Sequence, residues 1–93
     1  MICTFKSKET AQIFRRQPVK RFDGIRQPAL TRLLRLDAAR TLADLQAISG
    51  NRLEALKRNR RGQHCIRIND QWRICFRWIE ATGAHDVEIV DYH

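Results

Sequence analysis

No stretch of this sequence stays apolar for anything close to the roughly 18 residues that a bilayer-spanning helix needs. The opening Met1-Ile2-Cys3-Thr4-Phe5-Lys6 also lacks the charged-then-apolar layout of a secretory leader. Both point to a cytoplasmic protein with no membrane partner. Cysteine is scarce and odd in number, with only Cys3, Cys65 and Cys75. Three thiols cannot all pair, which counts against a secreted disulfide scaffold. They lack Cys-x-x-Cys spacing, and His64, His85 and His93 are scattered, so neither a metal nor another cofactor is expected. A Gly-rich phosphate loop, a Ser/His/Asp arrangement and the paired carboxylates of a glycosidase or two-metal nuclease are missing too. No repeat, low-complexity tract or linker divides the chain. Its 93 residues are expected to form one domain, 1–93, around a thin core.

Negative charge is in short supply. Eighteen Lys and Arg outnumber ten Asp and Glu, for a net charge of +8. Fourteen of those cations are arginine, the lysines being Lys6, Lys8, Lys20 and Lys57. Such a charge on so small a body attracts polyanions over about a Debye length, roughly 8 Å at physiological salt. Arginine's planar fork grips phosphate through two hydrogen bonds and stacks on bases. Solubility, or a genome whose codons favour arginine, explains the charge equally well.

The remaining composition, 43% hydrophobic and 30% charged, is that of a folded soluble chain. Residues 2–5 are β-prone and predict a first strand. Ser7 is placed to cap a helix carrying Ala11, Ile13 and Phe14, which ends before Pro18. A basic stretch with Lys20, Arg21 and Arg26 follows. Leu30, Leu33, Leu34 and Ala38 recur at helical spacing and predict a second helix, with Pro28 in its first turn and Thr31, Arg32 and Arg35 on the opposite face. Thr41-Leu42-Ala43-Asp44 reads as a capping box that opens a short helix closed at Ser49-Gly50. Beyond Gly50 the period changes from 3.6 to 2. Residues 52–57 predict a strand ahead of the basic turn Arg58–Gly62. Residues 64–68, the turn 69–71 and residues 72–78 form a hairpin, and 85–90 the last strand.

Register within the hairpin can be derived. A three-residue loop pairs 68 with 72, 66 with 74 and 64 with 76, which puts Ile66, Ile68, Trp72, Ile74, Phe76 and Trp78 on one face. A two-residue loop would mix the faces. Arg67 then stands opposite Arg73, and Cys65 opposite Cys75. The architecture expected is α+β: an antiparallel sheet with helices packed on one face and a basic, exposed face opposite. Arg67, Arg73 and Arg77 would lie on that bare face, with the Lys57–Arg61 turn at one end. Like charges opposed across a ladder are destabilising, so the face is expected to be kept for an anion. Arginines that simply fan out into water are the plainer alternative. Cleaving RNA without a metal requires a base for the 2′-hydroxyl, an acid for the leaving 5′-oxygen and a cation for the phosphorane. Histidine, lysine, tyrosine and aspartate can exchange those protons, and the chain closes on Asp91-Tyr92-His93.

Several segments resemble the HigB toxins, the proteic-killer branch of the RelE-like superfamily. They are Gly50–Lys57, the Arg60–His64 turn, Ile66–Phe76 with its N-x-x-W-R-I-x-F pattern, and Val87–His93, together with Met1–Phe5 and Leu36–Ala39. The likeness covers nearly the whole chain, and the combined pattern is specific where each piece alone is weak. It implies a small RelE-like fold and a metal-independent endoribonuclease that cuts mRNA codons in the ribosomal A site and arrests translation. By position, Lys57, Arg73, Tyr92 and His93 match the family's active-site residues, with Asp91 beside them. Arg73 would stabilise the scissile phosphate, His93 would act as acid or base, Tyr92 would stack on a base or orient the phosphate, and Lys57 would supply charge or help activate the hydroxyl. Glu54 stands where some relatives carry an active-site histidine, which makes it a weak candidate. Arg58, Arg60, Arg61, Arg67 and Arg77 would hold RNA and the ribosome. The resemblance also implies a helix-turn-helix HigA antitoxin, with operator DNA bound only through the complex. A non-catalytic RNA- or DNA-binding module, or a degenerate toxin that binds only its antitoxin, are the competing readings.

Overall fold

A computed structural model describes residues 1–91; Tyr92 and His93 lie outside the described residues. Helix α1 spans Lys8–Phe14 and begins as its sequence dictates, the Ser7 hydroxyl accepting from the Thr10 N–H. A 3-10 segment, Lys20–Ile25, leads into α2, Arg26–Ala38, which accommodates Pro28 in its first turn. The short α3, Leu42–Gln46, opens on the expected capping box: Thr41 accepts from the Asp44 N–H, and the Asp44 carboxylate accepts from the Arg40 and Thr41 N–H groups.

These bonds hold the Asp44 carboxyl below its ordinary value of 3.8, the Arg40 N–H first among the causes. A lowered carboxyl stabilises the fold above the ordinary value and loses that contribution as pH falls through the lower folded one. Chemical denaturation should therefore show wild type exceeding Asp44→Ala at neutral pH, with the gap closing in acid. Thr41→Ala should cost about 1 kcal/mol, as lost caps usually do. A gap that persists at pH 2 would contradict this account.

Strands β1 (Glu54–Ala55), β2 (Gln63–Arg67), β3 (Trp72–Ile79) and β4 (Gly83–Asp91) form an antiparallel sheet in the order β1-β2-β3-β4. The hairpin has the register derived from the sequence, with His64 opposite Phe76, Cys65 opposite Cys75, Ile66 opposite Ile74 and Arg67 opposite Arg73. The Asn69 side chain accepts from the Gln71 and Trp72 N–H groups and fixes the loop. Residues 2–5 do not form a regular strand. They run parallel to β4 through isolated bridges, Ile2 with Ala84 and Phe5 with Val87. Gly83, at φ +124°, permits this approach, since a Cβ there would sit 2.2 Å from the Met1 carbonyl oxygen. Farther along β4, the buried Thr10 hydroxyl accepts from the Ile89 N–H at 2.9 Å and ties α1 to the sheet.

The main core lies between the helices and one sheet face, with Phe22, Leu33, Leu36, Leu45, Ile66, Ile74, Phe76 and Val87 all fully buried. Helix α2 is rotated relative to the expected stripe. It buries Ala29, Leu30, Leu33 and Leu36, while Leu34 is 40% exposed and Ala38 lies on the surface. Arg32 and Arg35 consequently sit half-buried at its flank instead of facing solvent.

Candidate active site

Residues that alternate away from the core define the other sheet face. Its central row runs Glu54–Cys65–Cys75–Glu88, and the next row pairs Arg67 with Arg73 and Arg73 with Val90. This face is basic, but it is not bare as expected. Leu56, Cys65 and Cys75 are buried together, with Val90 packed against them. The β1 edge folds Leu56 over the sheet, and a 3-10 turn, Arg58–Arg60, follows directly. Arg60 fastens that turn, its guanidinium reaching Glu88 and Gln63 at 3.1 Å. Lys6 adds a looser contact to the same Glu88 oxygen at 3.8 Å.

Two candidates, Lys57 and Arg73, adjoin this cluster through their neighbours. Lys57 follows Leu56, which packs with Cys65 and Cys75; Arg73 lies across from Val90, which packs on the same group. Lys57, Arg58 and Arg61 are exposed and, with Leu56, line a cavity of about 380 Å³. None of the three makes an ion pair among the described residues. Arg58 adopts φ +57°, a left-handed conformation that costs a non-glycine residue about 1 kcal/mol or more. Arg73 is half-buried and donates to the carbonyls of Asn69 and Trp72. Glu54 is exposed on the cluster's face beside Cys65. Asp91 stands opposite Trp72 and accepts from the Gln71 amide at 3.1 Å, so it alternates toward the helix side at the sheet's end.

Other candidates are dispersed or already neutralised. Arg67 pairs with Asp70, which relieves the repulsion predicted against Arg73. Arg77 pairs with Asp86 at 3.2 Å, and four strand residues put it about 13 Å along β3 from Arg73. A bulge between the Cys75 and Arg77 pairings, with Asp86 at φ +53°, places that carboxylate there. Tyr92 and His93, which carry the stacking and proton-transfer roles expected above, lie outside the described residues. Among the described residues, no group of three or more His, Cys, Asp or Glu side chains could hold a metal ion.

Composition could not point to Glu88, Arg52 or Asp70 as members of this surface. Glu88 becomes visible only through β4 pairing, and the other two through the loops that enclose the arginine row. The buried thiols carry a separate consequence. Burial pushes Cys65 up to about 12 and raises Cys75 as well, suppressing the reactive thiolate. Iodoacetamide should modify the exposed Cys3 in the folded protein and reach Cys65 and Cys75 only after denaturation. Peptide mass mapping that finds all three labelled at one rate would contradict this packing.

Helices packed on one face of a four-stranded antiparallel sheet in a small α+β body are consistent with the RelE-like toxin fold. The comparisons agree. The model of a family described as the RelE-like toxin of type II toxin–antitoxin system HigB matches residues 3–93. The chain is 34% identical over 87 residues to Toxin HigB-1 of Vibrio cholerae serotype O1 (strain ATCC 39315 / El Tor Inaba N16961), an alignment covering 91% of this chain and 92% of that protein. The chain belongs to the HigB-like toxins of type II toxin–antitoxin systems, and such a system implies an antitoxin partner.

Proposed function

We propose that this toxin is a ribosome-dependent endoribonuclease that cuts mRNA codons in the ribosomal A site without a metal. The observation that supports the reading is the half-buried Arg73 on a basic sheet face whose buried Leu56, Cys65 and Cys75 cluster leads into the exposed Lys57–Arg61 turn. In this scheme a base removes the 2′-hydroxyl proton, and the 2′-oxygen bonds to phosphorus. The bond to the 5′-oxygen breaks, and that oxygen takes a proton from an acid. The products are a 2′,3′-cyclic phosphate and a 5′-hydroxyl end. Arg73 neutralises charge on the phosphorane, where a preorganised donor acts most strongly. His93 moves protons, Lys57 favours the ionised 2′-oxygen, and Tyr92 stacks on or orients the nucleotide. Asp91 and Glu54 are subsidiary candidates. Arg58 and Arg61 hold RNA phosphates without reading sequence. Arg60, Arg67 and Arg77 do so only after exchanging their carboxylate partners.

The toxin works in the cytoplasm, where a HigA-type helix-turn-helix antitoxin restrains it and recruits the complex to operator DNA. Purified toxin added to a translation extract should shorten mRNA only when ribosomes are translating, and His93→Ala should leave it intact. Growth arrest without any cut mRNA would instead indicate a binding module that blocks translation by occupancy.

A further inference from the structure

The turn that carries Lys57 has no apolar anchor of its own. From 57 to 62 every residue is exposed except Arg60, which is half-buried. Lys57, Arg58, Arg60 and Arg61 crowd their cations together, and the repulsion among them favours an open turn. Two backbone bonds lie inside it, from the Arg60 N–H to the Lys57 carbonyl and from the Arg61 N–H to the Arg58 carbonyl; neither ties it to the sheet. The Arg60 side chain does. The turn lies between β1 and β2, yet Arg60 reaches Glu88 on β4, at the far edge of the β1-β2-β3-β4 sheet, at 3.1 Å. Gln63, at the start of β2, accepts from the same nitrogen at 3.1 Å. Glu88 stands opposite Cys75 of the buried thiol cluster. Among the described residues it is the least exposed carboxylate in any ion pair, at 16% against 42% or more for the others. Breaking a shielded pair costs more than breaking an exposed one.

We infer that Glu88 is a positioning residue: from β4 it holds Arg60, and through Arg60 it holds the turn in the conformation that presents Lys57 to substrate. It touches no RNA itself. This role rests on the nuclease reading, in which Lys57 favours the ionised 2′-oxygen, and adds a residue to that machinery. Lys57 acts only if its ammonium is fixed, because slight misplacement of a catalytic group forfeits much of the gain from orientation. Arg58, at φ +57°, holds a left-handed conformation that persists only where its surroundings over-determine it, and the Arg60 clasp supplies that constraint. Lys6 approaches the same Glu88 oxygen at 3.8 Å, so one carboxylate serves both the turn and the N-terminal segment. Arg60 meets RNA only by leaving Glu88, which would free the turn. Its two uses therefore give Glu88 opposite signs: removing a clasp slows cleavage, whereas removing a competitor for Arg60 speeds it.

Two readouts on the whole toxin test this. Limited trypsin digestion with peptide mapping measures opening of the turn, since nicking follows the population of the open form. Glu88→Gln should speed cutting after Lys57, Arg58 and Arg61 by about three- to tenfold, the worth of weakening one hydrogen bond between charged groups, with other sites cut as in wild type. Single-turnover mRNA cleavage on programmed ribosomes at saturating toxin should slow by a similar factor. In an Arg60→Gln background Glu88→Gln should add nothing to either effect, because both changes break one clasp. Glu9→Gln removes the same charge from the exposed Arg21 pair and should move neither readout. Unchanged nicking in Glu88→Gln would overturn the clasp, and faster mRNA cleavage would make Glu88 a competitor for Arg60 and overturn it too. Equal effects of Glu9→Gln would mean a response to net charge, with the same consequence. If wild-type toxin cuts no mRNA, the nuclease reading fails, while the nicking pattern still decides whether Glu88 holds the turn.

Discussion

Replacing Arg73 by alanine is expected to lower mRNA cleavage by about 10²–10³-fold, the usual cost of losing a preorganised charge-stabilising donor. The fold should survive. Arg73 lies on the sheet face away from the main core, and its contacts run to carbonyls of the adjoining loop. Its removal also relieves the opposition to Arg67, and like charges across a ladder cost up to about 1 kcal/mol. Stability should therefore hold or rise slightly while activity collapses. Arg73→Lys keeps the charge but loses the fork, and should fall between the two. Single-turnover cleavage on programmed ribosomes, with melting curves alongside, checks both halves. An Arg73→Ala protein that cuts at the normal rate would remove this side chain from the mechanism.

Phe22→Ala is expected to produce the largest loss of stability, about 3–5 kcal/mol, as for other buried aromatic truncations. Phe22 is fully buried in the 3-10 segment and meets Trp72 edge-on, with ring centroids 5.4 Å apart. Arg21 covers both rings at 5.1 and 5.5 Å. A small domain holds only about 5–15 kcal/mol in total, so the variant should be largely unfolded near body temperature. Trp72 lies opposite Asp91 and precedes Arg73, so the same cavity also loosens the end of the sheet that serves the site. Urea titration gives the value directly; a loss below 1 kcal/mol would mean that Phe22 does not anchor this corner.

What could be read before any coordinates was the part governed by local rules. Alternation in the hairpin fixed one register because a one-residue slip exchanges the faces, and the observed pairs follow it from His64 to Arg67. Ser7 and the Thr41–Asp44 box marked helix starts by the hydrogen bonds they offer. Helix α2 was legible as a helix but not in its rotation. Leu33 and Leu34 compete for the core, and only packing against the sheet selects Leu33 with Ala29 and Leu36. That rotation brought Arg32 against the Arg67 carbonyl and Arg35 against Asn51. The site's covering was hidden for a similar reason: Cys65, Cys75 and Leu56 are small or distant in sequence, yet β1 folds them into a second apolar cluster. Ion pairs such as Arg60–Glu88 span 28 residues and leave no local signature. The nuclease residues came from resemblance rather than spacing.

On the function proposed above, the cationic sheet face acts with Tyr92 and His93 to break the phosphodiester of a codon held by the ribosome. Mapping mRNA 5′ ends after brief expression of the toxin without antitoxin tests it most directly. The account predicts new 5′-hydroxyl ends inside reading frames, recurring at one position of the codon and vanishing when initiation is blocked. Ends scattered without regard to frame, or unchanged mRNA in cells that have stopped growing, would contradict it.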